Sequence, residues 1–272
     1  TTAASRPDRT VLFFHGGGST GGSTFDSLDL CARIADAAEA EIISVEYRLA
    51  PAHPFPAAVE DALFAYRHLL TSGYVPERVV PAGLSAGGTL VVSMLLAARD
   101  AGLPMPAAGV CLSPAVDMLF LGDSVIFNQE TDWLEPKTLA AMRDAYLPDR
   151  DPTDPLASPL YADLAGLPPL LVQAGGGEVL IDGIEAFVSA ARLQGVPVAF
   201  DCVEGMFHCW QVFAAVLPRA RRRSSGSVRS SGGTCRMRDK EAGRHQAHYP
   251  GGPISTGARV AKRSTAVDSR ST

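Results

Sequence analysis

The sequence predicts an α/β fold in which a mostly parallel β-sheet carries helices on both faces. Short apolar runs typical of buried strands alternate with helical segments along residues 11–203, and turns rich in glycine or proline separate many of them. Such alternation indicates βαβ units, whose crossovers make the strands parallel and bury both faces of the sheet. With 272 residues and 46% apolar side chains, the chain can enclose a large core.

Six segments have the length and composition of strands, and five have the spacing of helices. The strands are short and rich in apolar and β-branched residues, and they are predicted at 11–14, 41–47, 79–82, 108–112, 170–173 and 198–203. The helices show apolar residues three or four positions apart and are predicted at 28–38, 57–70, 89–101, 136–146 and 184–194.

Residues 116–168 interrupt this alternation with a long, acidic, proline-containing stretch that includes Trp133. An insertion of this size between two strands is more often a lid or a substrate loop than a linker. The alternative is a solvated excursion on the surface. We expect the stretch to form a lid or a substrate loop.

Charge and composition change abruptly after Pro218. Residues 1–218 hold 11 Lys and Arg against 26 Asp and Glu, whereas residues 219–272 hold 13 against 3 and contain no Leu, Phe or Trp. The second segment cannot bury enough apolar area to offset the entropy of ordering it. We therefore predict a folded domain at 1–218 and a basic, disordered tail at 219–272.

Two hypotheses account for this tail. A basic segment could bind nucleic acid by neutralising phosphates. The favoured hypothesis is a shift of reading frame near Pro218, inside a segment at 209–217 that has helical spacing. The coding DNA tests it, because the shifted frame should continue an amphipathic helix. We expect no nucleic-acid partner for the folded domain.

The composition also predicts where the protein acts. The sequence contains no run of about 18 apolar residues, and its first ten residues lack the apolar core of an export signal. The cysteines are odd in number and scattered, which favours reduced thiols over a disulfide framework. They are Cys31, Cys111, Cys202, Cys209 and Cys235. We expect a cytoplasmic location and no membrane span, and the sequence leaves the oligomeric state open.

Two glycine-rich turns carry the chemistry. Residues 83–88 (GLSAGG) follow a predicted strand and open a helix, as in a nucleophile elbow, where a strained turn exposes the serine, here Ser85. Residues 15–18 (HGGG) also follow a strand, and their glycines let main-chain N–H groups approach an oxyanion. A phosphate-binding loop is the alternative for the second turn, but neither a P-loop lysine nor a GxGxxG pattern accompanies it.

A nucleophilic serine needs a base and a carboxylate that orients the base. His208 follows the last predicted strand, where a loop can carry it over the sheet edge, whereas His68 lies in a helix before the elbow. The acid should follow the strand at 170–173, where Glu178 and Asp182 are the candidates. Glu178 is nearer the strand end, so we favour it, and we expect Asp182 to cap or brace the following helix.

Taken in order, these motifs resemble those of the hormone-sensitive-lipase-type (family IV) α/β-hydrolase carboxylesterases. The resemblance extends from about residue 10 to residue 217. It rests on HGGG at 15–18, YRLAP at 47–51 with a continuation to Asp61, GLSAGG at 83–88, EVLID at 178–182 and GMFH at 205–208.

The resemblance implies an α/β-hydrolase fold and a serine esterase. It would hydrolyse short- to medium-chain acyl esters through an acyl-enzyme intermediate, with no metal or cofactor. By position, Ser85 matches the nucleophile, His208 the base and Glu178 the acid. The N–H groups of Gly16, Gly17 and Ala86 match the oxyanion hole. The stretch from Tyr47 to Asp61 is expected to be structural.

The sequence departs from the family pattern at two places. Most members carry Asp where this chain has Glu178, although some share the glutamate. Members also have a longer segment before the glycine loop, whereas fourteen residues precede His15 here. We therefore expect the chain to be truncated at its N-terminus, with 116–168 as the remaining cap over a more open acyl pocket.

Two alternatives to the esterase remain at this stage. The first is a deacetylase or lactonase with the same three catalytic residues, which only a substrate profile would separate. The second is an inert binding protein on the same scaffold. Such proteins typically lose the histidine, and His208 is present.

Overall fold

Strands and helices alternate through the part of the chain that a computed structural model describes, namely residues 1–2, 6–214 and 217. The strands are β1 (Arg6–Phe14), β2 (Ala40–Val45), β3 (Val79–Leu84), β4 (Gly109–Leu112), β5 (Leu170–Gly175) and β6 (Val198–Val203). The helices are α1 (Leu28–Ala38), α2 (Ala57–Thr71), α3 (Ala86–Asp100), α4 (Ser124–Phe127), α5 (Pro136–Tyr146) and α6 (Ile181–Leu193).

The six strands form one sheet in the order β2-β1-β3-β4-β5-β6, and every neighbouring pair is parallel. The predicted α/β fold with a largely parallel sheet is therefore confirmed. Because all strands run in one direction, their carboxyl ends lie along the same edge of the sheet. The loops that follow β3, β5 and β6 consequently meet there.

Several element boundaries differ from those predicted from the sequence. Strand β1 begins at Arg6, whereas the sequence predicted a start at residue 11. The prediction missed the first residues of the strand because they are polar, and the register with β2 shifts between Arg6 and Thr10. Helix α3 begins at Ala86 rather than at residue 89, since the turn at Ser85 leads directly into it. In the segment at 209–217, the described residues form a 3₁₀ helix, Trp210–Phe213, instead of an α-helix.

The hydrophobic core lies on both faces of the sheet. In β1, Phe13 and Phe14 are fully buried and belong to different clusters, because successive side chains of a strand point to opposite faces. Helices α2, α3 and α6 cover the face of Phe14, where Tyr66 is buried. Helix α1 packs through Leu30 on the face of Phe13. Burial on two faces explains why the strands read as continuous apolar runs.

The stretch at 116–168, called the insertion below, is anchored in the larger of these two clusters. It contains α4 and α5 and contributes buried side chains such as Leu139, Tyr146 and Leu164. The ring of Tyr146 packs edge-on against Phe55, with ring centroids 5.7 Å apart. The insertion is therefore a packed part of the fold rather than a solvated excursion. The predicted tail at 219–272 and the boundary at Pro218 lie outside the described residues.

Three of the cysteines are buried free thiols, namely Cys31, Cys111 and Cys209. Burial raises the pKa of Cys111 to about 12. Among the described residues, no helix is both long and apolar enough to cross a bilayer.

Replacing Gly87 with alanine should strongly destabilise the fold. A Cβ on this residue would lie 2.1 Å from the carbonyl oxygen of Phe14, so α3 could no longer pack as closely on β1. We expect a loss of about 1–3 kcal/mol or more in unfolding free energy, measured by urea denaturation. Gly21→Ala is the matched control, because its Cβ meets nothing nearer than 3.9 Å. Equal denaturation midpoints for the two variants would contradict this packing argument.

Candidate active site

Ser85 occupies the sharp turn between β3 and α3. Its backbone has φ 54° and ψ −120°, a conformation that costs an L-residue about 1–3 kcal/mol unless its surroundings enforce it. Two main-chain hydrogen bonds do so: Ser85 N–H donates to Leu112 O (2.8 Å), and Thr89 N–H donates to Ser85 O (3.1 Å). The turn holds the hydroxyl at the carboxyl edge of the sheet, as the motif predicts.

His208 is carried to this hydroxyl by the loop after β6. Its Nε2 lies 2.9 Å from Ser85 Oγ, which is hydrogen-bonding distance, although 123 positions separate the two residues in sequence. The imidazole is buried, with 1% of the residue exposed. The ring is therefore fixed by its protein partners rather than by water.

Glu178 meets the other side of the same ring. Its Oε2 lies 3.1 Å from His208 Nδ1, and the carboxylate is completely buried. The second oxygen, Oε1, accepts hydrogen bonds from Ser113 Oγ (2.7 Å) and from the N–H of Gly175 (2.5 Å). A buried carboxylate is costly unless it is hydrogen-bonded, and these three partners satisfy it.

Asp182, the other candidate acid, does not reach the imidazole. Its Oδ2 accepts a hydrogen bond from the main-chain N–H of Ser124, at 2.8 Å, in the first turn of α4. Asp182 therefore braces α6 against the insertion. The structure brings Glu178, His208 and Ser85 into one hydrogen-bonded row and leaves Asp182 outside it.

Opposing influences set the protonation of His208. Burial disfavours the charged imidazolium and lowers its pKa. The neighbouring Cys209 sulfur and the hydrogen-bonded carboxylate of Glu178 favour the charged form, and together they outweigh burial. The net effect holds the pKa of His208 well above 6.5.

The HGGG turn lies beside Ser85. A Cβ on Gly16 would be 3.4 Å from the Cβ of Ser85, and Gly17 has φ 121°, a conformation that favours glycine. His15 is buried beneath the turn and stacks on Tyr47, with ring centroids 4.2 Å apart. The Tyr47 hydroxyl donates to the carbonyl of His15 at 2.8 Å. Tyr47 thus fixes the turn, consistent with the structural role expected for its motif.

A cavity of about 310 Å³ lies next to Ser85. Gly16, Gly17, Ser85, Ala86 and His208 all line it. Its walls are largely apolar and come in good part from the insertion, through Met118, Phe120, Trp133, Leu134, Leu139 and Met142. The cavity lies at the lower end of the size range of small-molecule sites, about 300–1,000 Å³.

The sequence reasoning missed residues that support this row. Ser113, the residue after β4, donates to Glu178, and Asp132 in the insertion accepts from the main-chain N–H of His208 at 3.1 Å. Ser113 follows a predicted parallel strand next to the one that leads to Ser85. This position could have marked Ser113 as a residue near the site. Asp132 lies in irregular chain, where neither periodicity nor a motif marks it.

Comparison with known proteins gives concordant matches. The family model of the alpha/beta hydrolase fold matches residues 11–212. An acetyl-hydrolase of Streptomyces hygroscopicus is 46% identical over 220 residues, which are 80% of this chain and 74% of the relative. An esterase of Acinetobacter venetianus is 34% identical over 222 residues, which are 81% of this chain and 73% of the relative.

Solved structures agree with these relatives. An esterase from the bacterial hormone-sensitive lipase family superposes with a TM-score of 0.80 at 45% identity, covering 82% of this chain and 75% of the other. The enzyme EstE5, in a crystal soaked with p-nitrophenyl butyrate, also gives 0.80, at 38% identity and with 82% and 76% coverage.

The raised pKa of His208 can be measured directly by NMR of its ring nitrogens. The midpoint should lie above 6.5 in the parent protein. It should fall in Glu178→Gln, because the amide retains the shape of the side chain but removes the negative charge that stabilises the imidazolium. The signals of the exposed His68 should be the same in both proteins. A midpoint that stays put or rises in Glu178→Gln would contradict the assigned cause.

Proposed function

The chain belongs to the α/β-hydrolase family of carboxylic ester hydrolases, and we propose that it cleaves esters with Ser85, His208 and Glu178. The observation that carries this assignment is the continuous row of hydrogen bonds from hydroxyl to imidazole to carboxylate. Its two distances are 2.9 Å and 3.1 Å. A row of this kind activates a serine that is otherwise a poor nucleophile.

In the first half of the reaction, Ser85 Oγ attacks the ester carbonyl carbon while His208 Nε2 accepts the hydroxyl proton. The carboxylate of Glu178 holds the ring through Nδ1–H and stabilises the imidazolium that forms. The tetrahedral intermediate collapses when the carbon–oxygen bond to the alcohol breaks, and the imidazolium gives its proton to the departing oxygen. The acyl group is then bound to Ser85 as an ester.

In the second half, water replaces the alcohol. His208, neutral again, removes a proton from a water molecule that attacks the acyl carbon. The second tetrahedral intermediate releases the carboxylic acid as the proton returns to Ser85 Oγ. The base must be neutral at the start of each half, so its raised pKa implies that activity is lost as the pH falls through that value.

The negative oxygen of each intermediate would be bound by the N–H groups of Gly16, Gly17 and Ala86. All three residues line the cavity next to Ser85, and Ala86 is the first residue of α3, where main-chain N–H groups have no partner within the helix. The positive end of the helix dipole adds to the attraction. Fixed dipoles of this kind often contribute the largest share of catalysis in acyl transfer.

The substrate proposed is a small ester with a short- to medium-chain acyl group. The modest volume and apolar walls of the cavity support this size class. The name of the 46% identical relative, an acetyl-hydrolase, favours the short end of the range. An amide or a lactone would undergo the same steps, but the names of the similar proteins favour esters.

Two further predictions accompany this proposal. The insertion is proposed to be a cap, since its side chains form much of the cavity wall above Ser85. The cytoplasmic location stays a prediction from the composition.

Replacing Ser85 with alanine should abolish hydrolysis of p-nitrophenyl butyrate. Removal of the nucleophile should lower kcat/KM by about 10³-fold or more, as followed by release of p-nitrophenol. Ser189→Ala, an exposed serine in α6, is the matched control and should retain the parental rate. Substantial activity of Ser85→Ala would refute the assignment of the nucleophile.

The two carboxylates near the end of β5 should differ sharply in their effect on kcat. Glu178→Ala removes the partner of His208 Nδ1 and should lower kcat by at least about 10²-fold. Asp182→Ala removes a contact to the main chain of Ser124 and should change kcat by no more than about threefold, with a loss of thermal stability instead. The reverse order of effects would exchange the roles of the two residues.

A further inference from the structure

Asp132 of the insertion bridges the two loops that carry Glu178 and His208. Its Oδ2 accepts a hydrogen bond from the N–H of Val179 (2.8 Å), and its Oδ1 accepts one from the N–H of His208 (3.1 Å). A third, longer bond comes from the N–H of Leu134 at 3.4 Å. One buried carboxylate therefore holds the residue after the acid and the base itself.

Trp133, the next residue, contacts the other main-chain group of His208. Its Nε1–H donates to the carbonyl oxygen of His208 at 2.8 Å, and its ring lies 5.7 Å from the imidazole, centroid to centroid. Asp132 and Trp133 together satisfy both the N–H and the C=O of His208. Two hydrogen bonds at opposite ends of one residue limit how far its main chain can rotate.

Two more side chains of the same segment hold the acid loop. Asn128 Nδ2 donates to the carbonyl of Glu178 at 2.8 Å, and Thr131 Oγ1 donates to the carbonyl of Gly177 at 2.9 Å. Residues 128–133 thus contact the main chain on both sides of the Glu178–His208 pair. We call this segment the clasp.

We propose that the clasp is a positioning device, with Asp132 as its principal residue, which sets the distance between Glu178 and His208 for the reaction. The inference rests on the proposed function, because it assigns the clasp a part in that same site. Asp132 bonds main-chain groups and does not line the cavity, so it acts through His208 and Glu178 rather than on the substrate.

The chemistry of these bonds supports a positioning role. Hydrogen bonds to a charged acceptor are roughly twice as strong as bonds between neutral groups, and a buried carboxylate is costly without them. Misplacement of a catalytic group by about 1 Å can lower a rate by about 10²-fold. The clasp also belongs to the insertion. The same segment of the chain therefore forms much of the cavity wall and holds the main chain of His208 in place.

The test compares Asp132→Asn with Asp117→Asn, using p-nitrophenyl butyrate. Asp117 is also a buried carboxylate of the insertion, and it accepts hydrogen bonds from the main-chain N–H groups of Leu119 and Leu121 and from the Tyr161 hydroxyl. None of these hydrogen bonds comes from the loops that carry Glu178 and His208. Asparagine retains one acceptor oxygen and loses the other. We expect Asp132→Asn to lower kcat by about tenfold or more with KM changed by less than about threefold. Asp117→Asn should lower the Tm but leave kcat within about twofold.

Trp133→Phe provides a second, charge-neutral variant. It keeps an aromatic ring, although a smaller one, in the cavity wall and removes the donor to His208. Among the described residues, the titratable side chains facing His208 are Glu178, Asp132 and Cys209, and none of them changes in this variant. A looser His208–Glu178 contact should therefore appear as a lower kcat and as an acidic limb of kcat/KM that moves to lower pH.

The outcomes separate this inference from the proposal on which it depends. Active Ser85→Ala would overturn both. Inactive Ser85→Ala together with parental kcat in a folded Asp132→Asn would overturn the positioning role alone. If Asp132→Asn does not fold, Trp133→Phe decides: a reduced kcat with a shifted limb supports the clasp, and a parental profile refutes it.

Discussion

The parallel direction of the strands is the constraint on which the site depends. Ser85 and His208 are 123 positions apart, and they meet because β3 and β6 both end at the same edge of one sheet. Strand β5 ends there as well and delivers Glu178 between them. Reversal of any one of these strands would place its loop at the opposite edge, so the direction of the chain matters as much as the identity of the residues.

The shared edge of the sheet places the catalytic loops only approximately, and the buried hydrogen bonds of the side chains fix their positions more closely. Glu178 has no exposed surface, so each of its oxygens must find a partner in the protein, and those partners dictate its orientation. Ser113 and the N–H of Gly175 bind one oxygen and leave the other for His208. Because an unsatisfied buried carboxylate is costly, Glu178 keeps this orientation, and the imidazole of His208 has a defined position. The strained turn at Ser85 is held in a similar way by main-chain hydrogen bonds on both sides.

Features that depend on local sequence, such as strands and tight turns, were predictable from the sequence. Apolar runs located all six strands found among the described residues. The glycine pattern around Ser85 located the turn, because a Cβ on Gly83 or Gly87 would strike neighbouring backbone. The distance of Glu178 and Asp182 from the strand end was enough to rank them, and their contacts in the structure agree with that ranking.

Sequence reasoning failed where a residue acts only through tertiary contacts. Asp132 and Asn128 lie in irregular chain, and nothing local indicates that they reach loops 47 and 50 positions away. The 3₁₀ helix at Trp210–Phe213 was missed for the same reason. A single sequence shows which polar residues are available but not which groups they contact, because these contacts depend on how the whole domain packs.

The roles of Ser85 and the main-chain N–H groups can be tested by a crystal structure of the protein after reaction with a small alkyl fluorophosphonate. We expect a phosphorus atom bonded to Ser85 Oγ, with its anionic oxygen about 2.7–3.1 Å from the main-chain nitrogens of Gly16, Gly17 and Ala86. His208 should remain bonded to Glu178. An adduct on another residue would refute the role of Ser85, and an anionic oxygen turned away from these nitrogens would refute the proposed oxyanion hole.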